Sequence, residues 1–289
     1  MEIEKKVDFY MKLSVLVDNN TLIDRYFLGE PALSFFIEED DKRILFDTGY
    51  SDAFIKNAEK MRIDLRNLDW VALSHGHIDH TWGLTHLISL HMEAKGEAIT
   101  HHTPTIIGHP LVFESKLLNT VGEIGSVLSY NKLSKHFPIS LSKQPFWLTD
   151  KLVFLGEIKR KFNFEGKESI GKVITEKEEF DDFIFDDTAL AYKSSEGLVI
   201  MVGCAHSGIC NIIEYAKEVC GEERIIDIIG GFHLLNPSNF QLENTVKYIE
   251  ELAPKKLHAA HCTDLRSKIA LSRIADIEEV GVGLRLEYV

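Results

Sequence analysis

The chain reads as an α/β protein made of two βαβ-rich halves packed face to face, with a polar site at one edge. Three observations predict this. Apolar strand-like runs alternate with amphipathic helical segments along the whole sequence. The runs 43–49 and 198–204 both end in a glycine-containing turn and lead into a helix, a strand and a histidine-bearing turn. Finally, Ser-His-Gly-His-Ile-Asp-His at 74–80 follows directly on the apolar stretch Trp70-Val71-Ala72-Leu73. The halves echo each other as architecture more than as sequence, and ligands then emerge from strand ends.

Taken in order, strands are expected at 11–18, 32–38 and 43–46, the last ending in Asp47-Thr48-Gly49. Ser51 and Asp52 can cap a helix to about Met61, with Phe54, Ile55, Ala58 and Met61 on one face. After the histidine-rich run, 81–95 has helical spacing at Leu84, Leu87, Ile88 and Met92; His86 and His91 on it are read as ordinary surface or satisfied residues. The stretch 101–187 is irregular and punctuated by glycines. It is too long for one structureless loop, so it is read as short hairpins and a lid inserted within a single domain spanning 1–289. Strands at 183–193 and 198–202, a helix at 209–218 and a strand at 225–229 follow. Ser238 caps a helix carrying Leu242, Val246, Ile249 and Leu252 that Pro254 ends. A strand at 256–260 delivers His261-Cys262-Thr263, and a helix at 264–275 and a strand at 282–288 close the chain.

With 289 residues, 45% of them hydrophobic, the chain can bury a substantial core. Its formal net charge of −13, with no block rich in Lys or Arg, makes a nucleic acid a poor partner and favours a small molecule. No apolar signal core follows Met1-Glu2-Ile3-Glu4-Lys5-Lys6, and no run of 18 apolar residues exists, so a cytoplasmic protein without membrane attachment is expected. A homo-oligomer is compatible with this composition. The four cysteines, Cys204, Cys210, Cys220 and Cys262, have no CxxC spacing and are expected as reduced thiols.

The 74–80 run carries the chemistry. In extended backbone His75 and His77 project the same way, so two imidazoles can converge on one ion. Asp79 and His80 follow at the turn, placed to hold a second ion about 3.5–4 Å from the first. So many polar groups at the end of a buried strand cannot all be satisfied without a cation.

Phe46-Asp47-Thr48-Gly49, the run Leu73 to His80, His206 and the late His261 resemble the metallo-β-lactamase superfamily. The strings Gly-Glu-Ile-Lys-Arg with Phe164-Glu165, Gly-Cys-Ala-His-Ser-Gly-Ile at 203–209, Gly-Gly-Phe-His-Leu at 230–234 and His-Cys-Thr at 261–263 resemble a narrower branch. That branch comprises metal-dependent hydrolases of β-lactamase superfamily II and includes archaeal dihydropterin-ribofuranosylaminobenzene-phosphate synthases. The resemblance implies an αββα sandwich, two mixed sheets flanked by helices, holding one or two divalent metals at an edge, zinc first and manganese or iron as alternatives. It implies that His75 and His77 hold the first metal and that Asp79, His80 and His261 hold the second, with Asp79 also counted as catalytic. The family's bridging aspartate, usually in Gly-Asp, is replaced by Gly203-Cys204.

His206, two residues beyond, is assigned as the missing ligand of the first metal by the alternation that pairs His75 with His77. For Cys204, a zinc-binding thiolate and an inert buried thiol are equal readings. Asp47 is placed as a carboxylate that fixes a histidine tautomer or the ligand turn. His233, between glycines and Leu234, is a candidate to face substrate or donate to a leaving group. Arg160, with Lys159 and Lys161, and His109 could line the cleft and meet phosphates, although a solvated charge run is the commoner explanation for the three cations. Hydrolysis of a small phosphorylated or ester substrate by metal-activated water is the default reaction. The alternative, implied by the branch, joins a dihydropterin diphosphate to a ribofuranosylaminobenzene phosphate with release of pyrophosphate.

Overall fold

The central strands are apolar along their whole length because both of their faces are covered. In residues 10–289, which the computed structural model describes, two large mixed sheets face each other. The first has the order Arg285–Tyr288, Met11–Val17, Ser34–Glu39, Lys42–Phe46, Trp70–Ala72, Thr105–Gly108, Ile139–Leu141. The second has the order Lys256–Ala260, Ile225–Gly231, Leu198–Val202, Ala189–Lys193, Leu152–Phe154, Phe146–Trp147. Between them Phe35, Ile37, Ile44, Phe46, Ala72 and Ile107 meet Phe154, Leu190, Tyr192, Val199, Met201 and Ile229.

The alternate residues face outward. Phe36, Leu45, Val71 and Ile106 pack under the helices Ala53–Met61 and Leu84–Gly96. Leu198, Ile200 and Val202 pack under Ile209–Cys220 and Asn239–Leu252. The layers therefore run helix, sheet, sheet, helix, as the resemblance implies. None of the described helices is long and apolar enough to cross a membrane, and all four cysteines are free thiols.

In each sheet the parallel strands set the position of the site. Lys42–Phe46, Trp70–Ala72 and Thr105–Gly108 run parallel, as do Leu198–Val202, Ile225–Gly231 and Lys256–Ala260. Their carboxyl ends deliver Asp47, Ser74 to His80, Gly203 to His206, His233 and His261 to one edge, the usual place for a site in parallel sheets.

Three expectations need correction. The helix expected over 81–95 is interrupted: a single turn, Ile78–Thr81, precedes Leu84–Gly96. Gly83 sits at the break because a Cβ there would lie 2.0 Å from the Thr48 carbonyl oxygen. The strand expected at 183–193 is only Ala189–Lys193, since Ile184 turns left-handed (φ 49°) and its carbonyl accepts from Asp187 N–H. The stretch 101–187 divides: Thr105–Gly108, Ile139–Leu141, Phe146–Trp147 and Leu152–Phe154 join the large sheets. Only Glu179–Asp181, Lys172–Ile174, Ser115–Leu118 and Gly122–Glu123 form a separate antiparallel sheet. Strands of two to four residues carry too little periodicity to be read from sequence.

Gly83→Ala is expected to destabilise the protein by ~1–3 kcal/mol, because the clash is with backbone that cannot swing aside. Gly96→Ala, where a Cβ meets nothing within 4 Å at the helix end, is expected to be neutral or to stabilise by up to ~1 kcal/mol. Chemical denaturation of the two variants measures this, and equal effects would refute the close-approach argument.

Candidate metal centre

The carboxylate of Asp47 organises the edge. It is fully buried in a left-handed conformation (φ 59°), and each of its oxygens is used. Oδ1 accepts the Ser74 N–H at 2.7 Å; Oδ2 accepts the Ser74 hydroxyl and the His80 Nδ1–H, both at 2.7 Å. Thr48 adds two bonds to the His80 carbonyl, from its N–H at 2.9 Å and its hydroxyl at 3.0 Å. The Asp-Thr-Gly turn thus holds the histidine-rich turn through both backbone and side chain.

Two groups of side chains able to hold a metal ion result. His75, His77 and His206 form one, and Asp79, His80, Cys204 and His261 the other, with the donor atoms in each within 4.8 Å of one another. The rings of His75 and His80 lie 4.2 Å apart, so the groups are adjacent. Burial, then the neighbouring imidazoles, holds His75 and His206 well below the usual imidazole range; burial and the Lys116 charge bring His77 down to about 4. These three rings are therefore neutral and present lone pairs. His77 Nε2 and both ring nitrogens of His206 are buried without any hydrogen-bond partner, a cost that a cation among them would remove.

The second group carries charge. With Nδ1–H bonded to Asp47, His80 turns Nε2 toward Asp79 Oδ2 at 3.4 Å and Cys204 Sγ at 3.2 Å. Burial opposes protonation of His80, but Asp79 and Asp47 outweigh it and hold its pKa well above the usual range. Positive charge is thus favoured at this spot. His261 Nε2 reaches Asp79 at 3.2 Å, and its ring is set by Asn19 Oδ1 at 3.2 Å from Nδ1. Burial pushes the Cys204 thiol well up, so a thiolate there requires a cation beside it. The donors fit a divalent metal: neutral imidazoles in one group, a carboxylate and a thiol in the other.

Around these groups a tripeptide joins the ligand-bearing turns. Asp186 Oδ2 accepts the Gly76 N–H at 2.7 Å, Asp187 Oδ2 accepts the Ser207 N–H at 2.8 Å, and the Thr188 N–H reaches the Ser74 carbonyl at 2.9 Å. His233, also left-handed (φ 50°), lies with its ring tilted against that of His206, centroids 4.3 Å apart, and its Nδ1 is buried and unpartnered. A cavity of 580 Å³ opens from His206 and His233 between Asn163 to Ile170 and Leu235 to Gln241.

The readings of Arg160 and His109 as cleft residues need correction. Arg160 donates to the carbonyls of Gly166 at 2.7 Å, Phe183 at 2.6 Å and Ile184 at 3.0 Å, so it clamps loops. Lys159 and Lys161 both pair with Glu218 on the outer helix. His109 is wholly buried, accepting from Leu111 N–H at Nδ1 and bonding Glu157 through Nε2 at 3.1 Å. Residues that sequence reasoning missed are Ser74, Asn19 and Lys116, together with the bond of Asp186 to the Gly76 peptide. Asp18-Asn19 ends a strand aligned with Lys42–Phe46, and that position was the available signal.

The layered fold and the histidine-rich edge define a protein class, and the chain belongs to the metallo-beta-lactamase superfamily: the family model matches residues 28–216. Over 278 residues, 91% of this chain and 90% of the relative, it is 31% identical to the 7,8-dihydropterin-6-methyl-4-(beta-D-ribofuranosyl)-aminobenzene-5'-phosphate synthase of Methanocaldococcus jannaschii. It is also similar to the crystal structure of Tm1679, a metal-dependent hydrolase of the beta-lactamase superfamily, with TM-score 0.79 and 30% identity over 96% of this chain and 98% of that one. A diphosphatase of the PhnP family shares the fold at TM-score 0.53 and 17% identity, covering 96% and 97% of the two chains.

Asp47→Asn keeps the size of the side chain but can turn an amide donor toward His80. Metal affinity of the group containing His80 is expected to fall 10–100-fold, read by titration of the metal-free protein against a chelating indicator. Wild-type affinity in this variant would show that the carboxylate does not orient the ring.

Proposed function

We propose that the chain is a metal-dependent hydrolase of a small phosphorylated or ester substrate. The observation that supports this most is that three neutral imidazoles converge on one point, and one of them, His206, also lines an open cavity. Three protein donors leave a tetrahedral ion one open position, the pattern of catalytic sites.

In this reading His75, His77 and His206 hold one divalent ion and Asp79, His80, Cys204 and His261 a second, zinc being the first choice for its tolerance of imidazole and thiolate. Bound there, a divalent ion supplies Lewis acidity and lowers the pKa of water toward ~7. The protein's own groups do the rest. Asp47 fixes the His80 ring through Nδ1. His233 is positioned to hold a proton at Nδ1 for the leaving group: burial opposes its charged form, yet Cys262, Asp187 and Glu168 outweigh this and raise its pKa. Lys167, with Asn163, Asn236 and Gln241, lines the cavity and suits a phosphate or other oxygen-rich substituent.

The 31% identity to a synthase favours a second reading, in which a dihydropterin diphosphate is joined through its methylene carbon to a ribofuranosylaminobenzene phosphate with release of pyrophosphate. Protein loaded in turn with zinc, manganese and iron, assayed on phosphodiesters, lactones and a pterin diphosphate with arylamine, separates the two. Hydrolysis that needs no arylamine is expected; pyrophosphate release that depends on arylamine would put transfer first. His233→Ala is expected to lower kcat by ~10²–10⁴-fold with unchanged metal content. Unaltered kcat would remove His233 from the proton-holding role.

A further inference from the structure

Lys116 is the one lysine with no exposed surface among the described residues, and apart from its charge beside His77 the site as described gives it no role. It lies on the strand Ser115–Leu118 of the small sheet. Its Nζ sits 2.8 Å from Asp186 Oδ1 and 3.1 Å from Asp182 Oδ2. Asp186, equally buried, passes the interaction on: its second oxygen accepts the N–H of Gly76, the residue between His75 and His77.

That peptide is closely packed as well. Gly76 has no side chain, and a Cβ would lie 2.4 Å from the Val112 carbonyl and 2.9 Å from Lys116 Cε. Two turns of protein thus close on the ligand turn, and Asp186 is the hydrogen-bonding group that orients it. Lys116 at 2.8 Å is the side-chain cation that holds the Asp186 carboxylate in place; without it the carboxylate is free to turn away from the Gly76 N–H, which frees the spacing of the two histidines.

We propose that Lys116 is a positioning residue for the group His75, His77 and His206, coupling the small sheet to the first metal through Asp186 and the Gly76 peptide. This rests on the reading that the two donor groups hold metal ions. Cobalt(II) added to metal-free protein tests it, because the Cys204 group gives a thiolate-to-cobalt charge-transfer band that the all-histidine group lacks. Wild-type protein is expected to bind two equivalents. Lys116→Met is expected to keep one equivalent with the charge-transfer band intact and to bind the other 10–100-fold more weakly. Lys172→Met, which breaks an exposed pair with Asp181 on the same small sheet, is expected to bind both as wild type does.

Circular dichroism reports whether Lys116→Met folds. If it does not, Asp186→Ala carries the same titration, since it removes both the partner of Lys116 and the acceptor of the Gly76 N–H. Two equivalents at wild-type affinity in the folded variant, or equal weakening of both, would overturn the proposal. No cobalt uptake by wild-type protein would instead reject the metal reading, and this inference with it.

Discussion

One buried carboxylate ties the first sheet to the histidine-rich turn at the functional edge. Asp47 is out of water and three groups donate to it, two from Ser74 and one from His80. Such a group is costly to bury unless all its partners remain in place. Strand Lys42–Phe46, the start of the histidine turn and the His80 ring are therefore fixed together or not at all. The left-handed backbone at Asp47 belongs to the same constraint, since a residue with a Cβ takes φ 59° only when its surroundings compel it.

Asp47 is not alone in this. Ala205, His233 and His261 are left-handed as well, each just beyond the carboxyl end of a strand in the second sheet. A strand that continued straight would send its next residues past the edge into solvent. A left-handed residue turns the chain sharply and lets a donor point back over the sheet ends. Strain of ~1 kcal/mol or more per residue is sustained by the cores on either side, which fix where each strand stops.

This explains which parts of the site can be read from sequence. His75, His77, Asp79 and His80 are contiguous, and strand alternation with the following turn is enough to bring them together. His206 and His261 announce themselves as histidines following apolar strands. Lys116 and Asp186 do not: a lysine in Ser-Lys-Leu-Leu and an aspartate in a run of acids look like solvated charges, and only tertiary contact across 70 residues shows them paired and buried. The reverse error has the same origin. Arg160 in a basic triplet suggests phosphate, but its guanidinium is consumed by three carbonyls of its own loops. The layered fold was legible because its long strands are apolar on both faces, whereas strands of two or three residues leave no such trace.

The replacement of Gly-Asp by Gly203-Cys204 bears on how charge is distributed between the two groups. The group of Asp79, His80, Cys204 and His261 brings a carboxylate and a thiol, and Asp47 stands directly behind its histidine. The group of His75, His77 and His206 brings neutral rings alone, and Lys116 behind Asp186 offsets the nearest acid. A cation held by the carboxylate and thiolate would be largely neutralised, whereas one held by imidazoles would keep nearly its full charge. Polarising power would then be greatest at the all-histidine group, the one that His206 and His233 connect to the cavity. On the proposed reading, this asymmetry of side-chain chemistry would suit one group to anchoring and the other to acting on whatever enters the cavity.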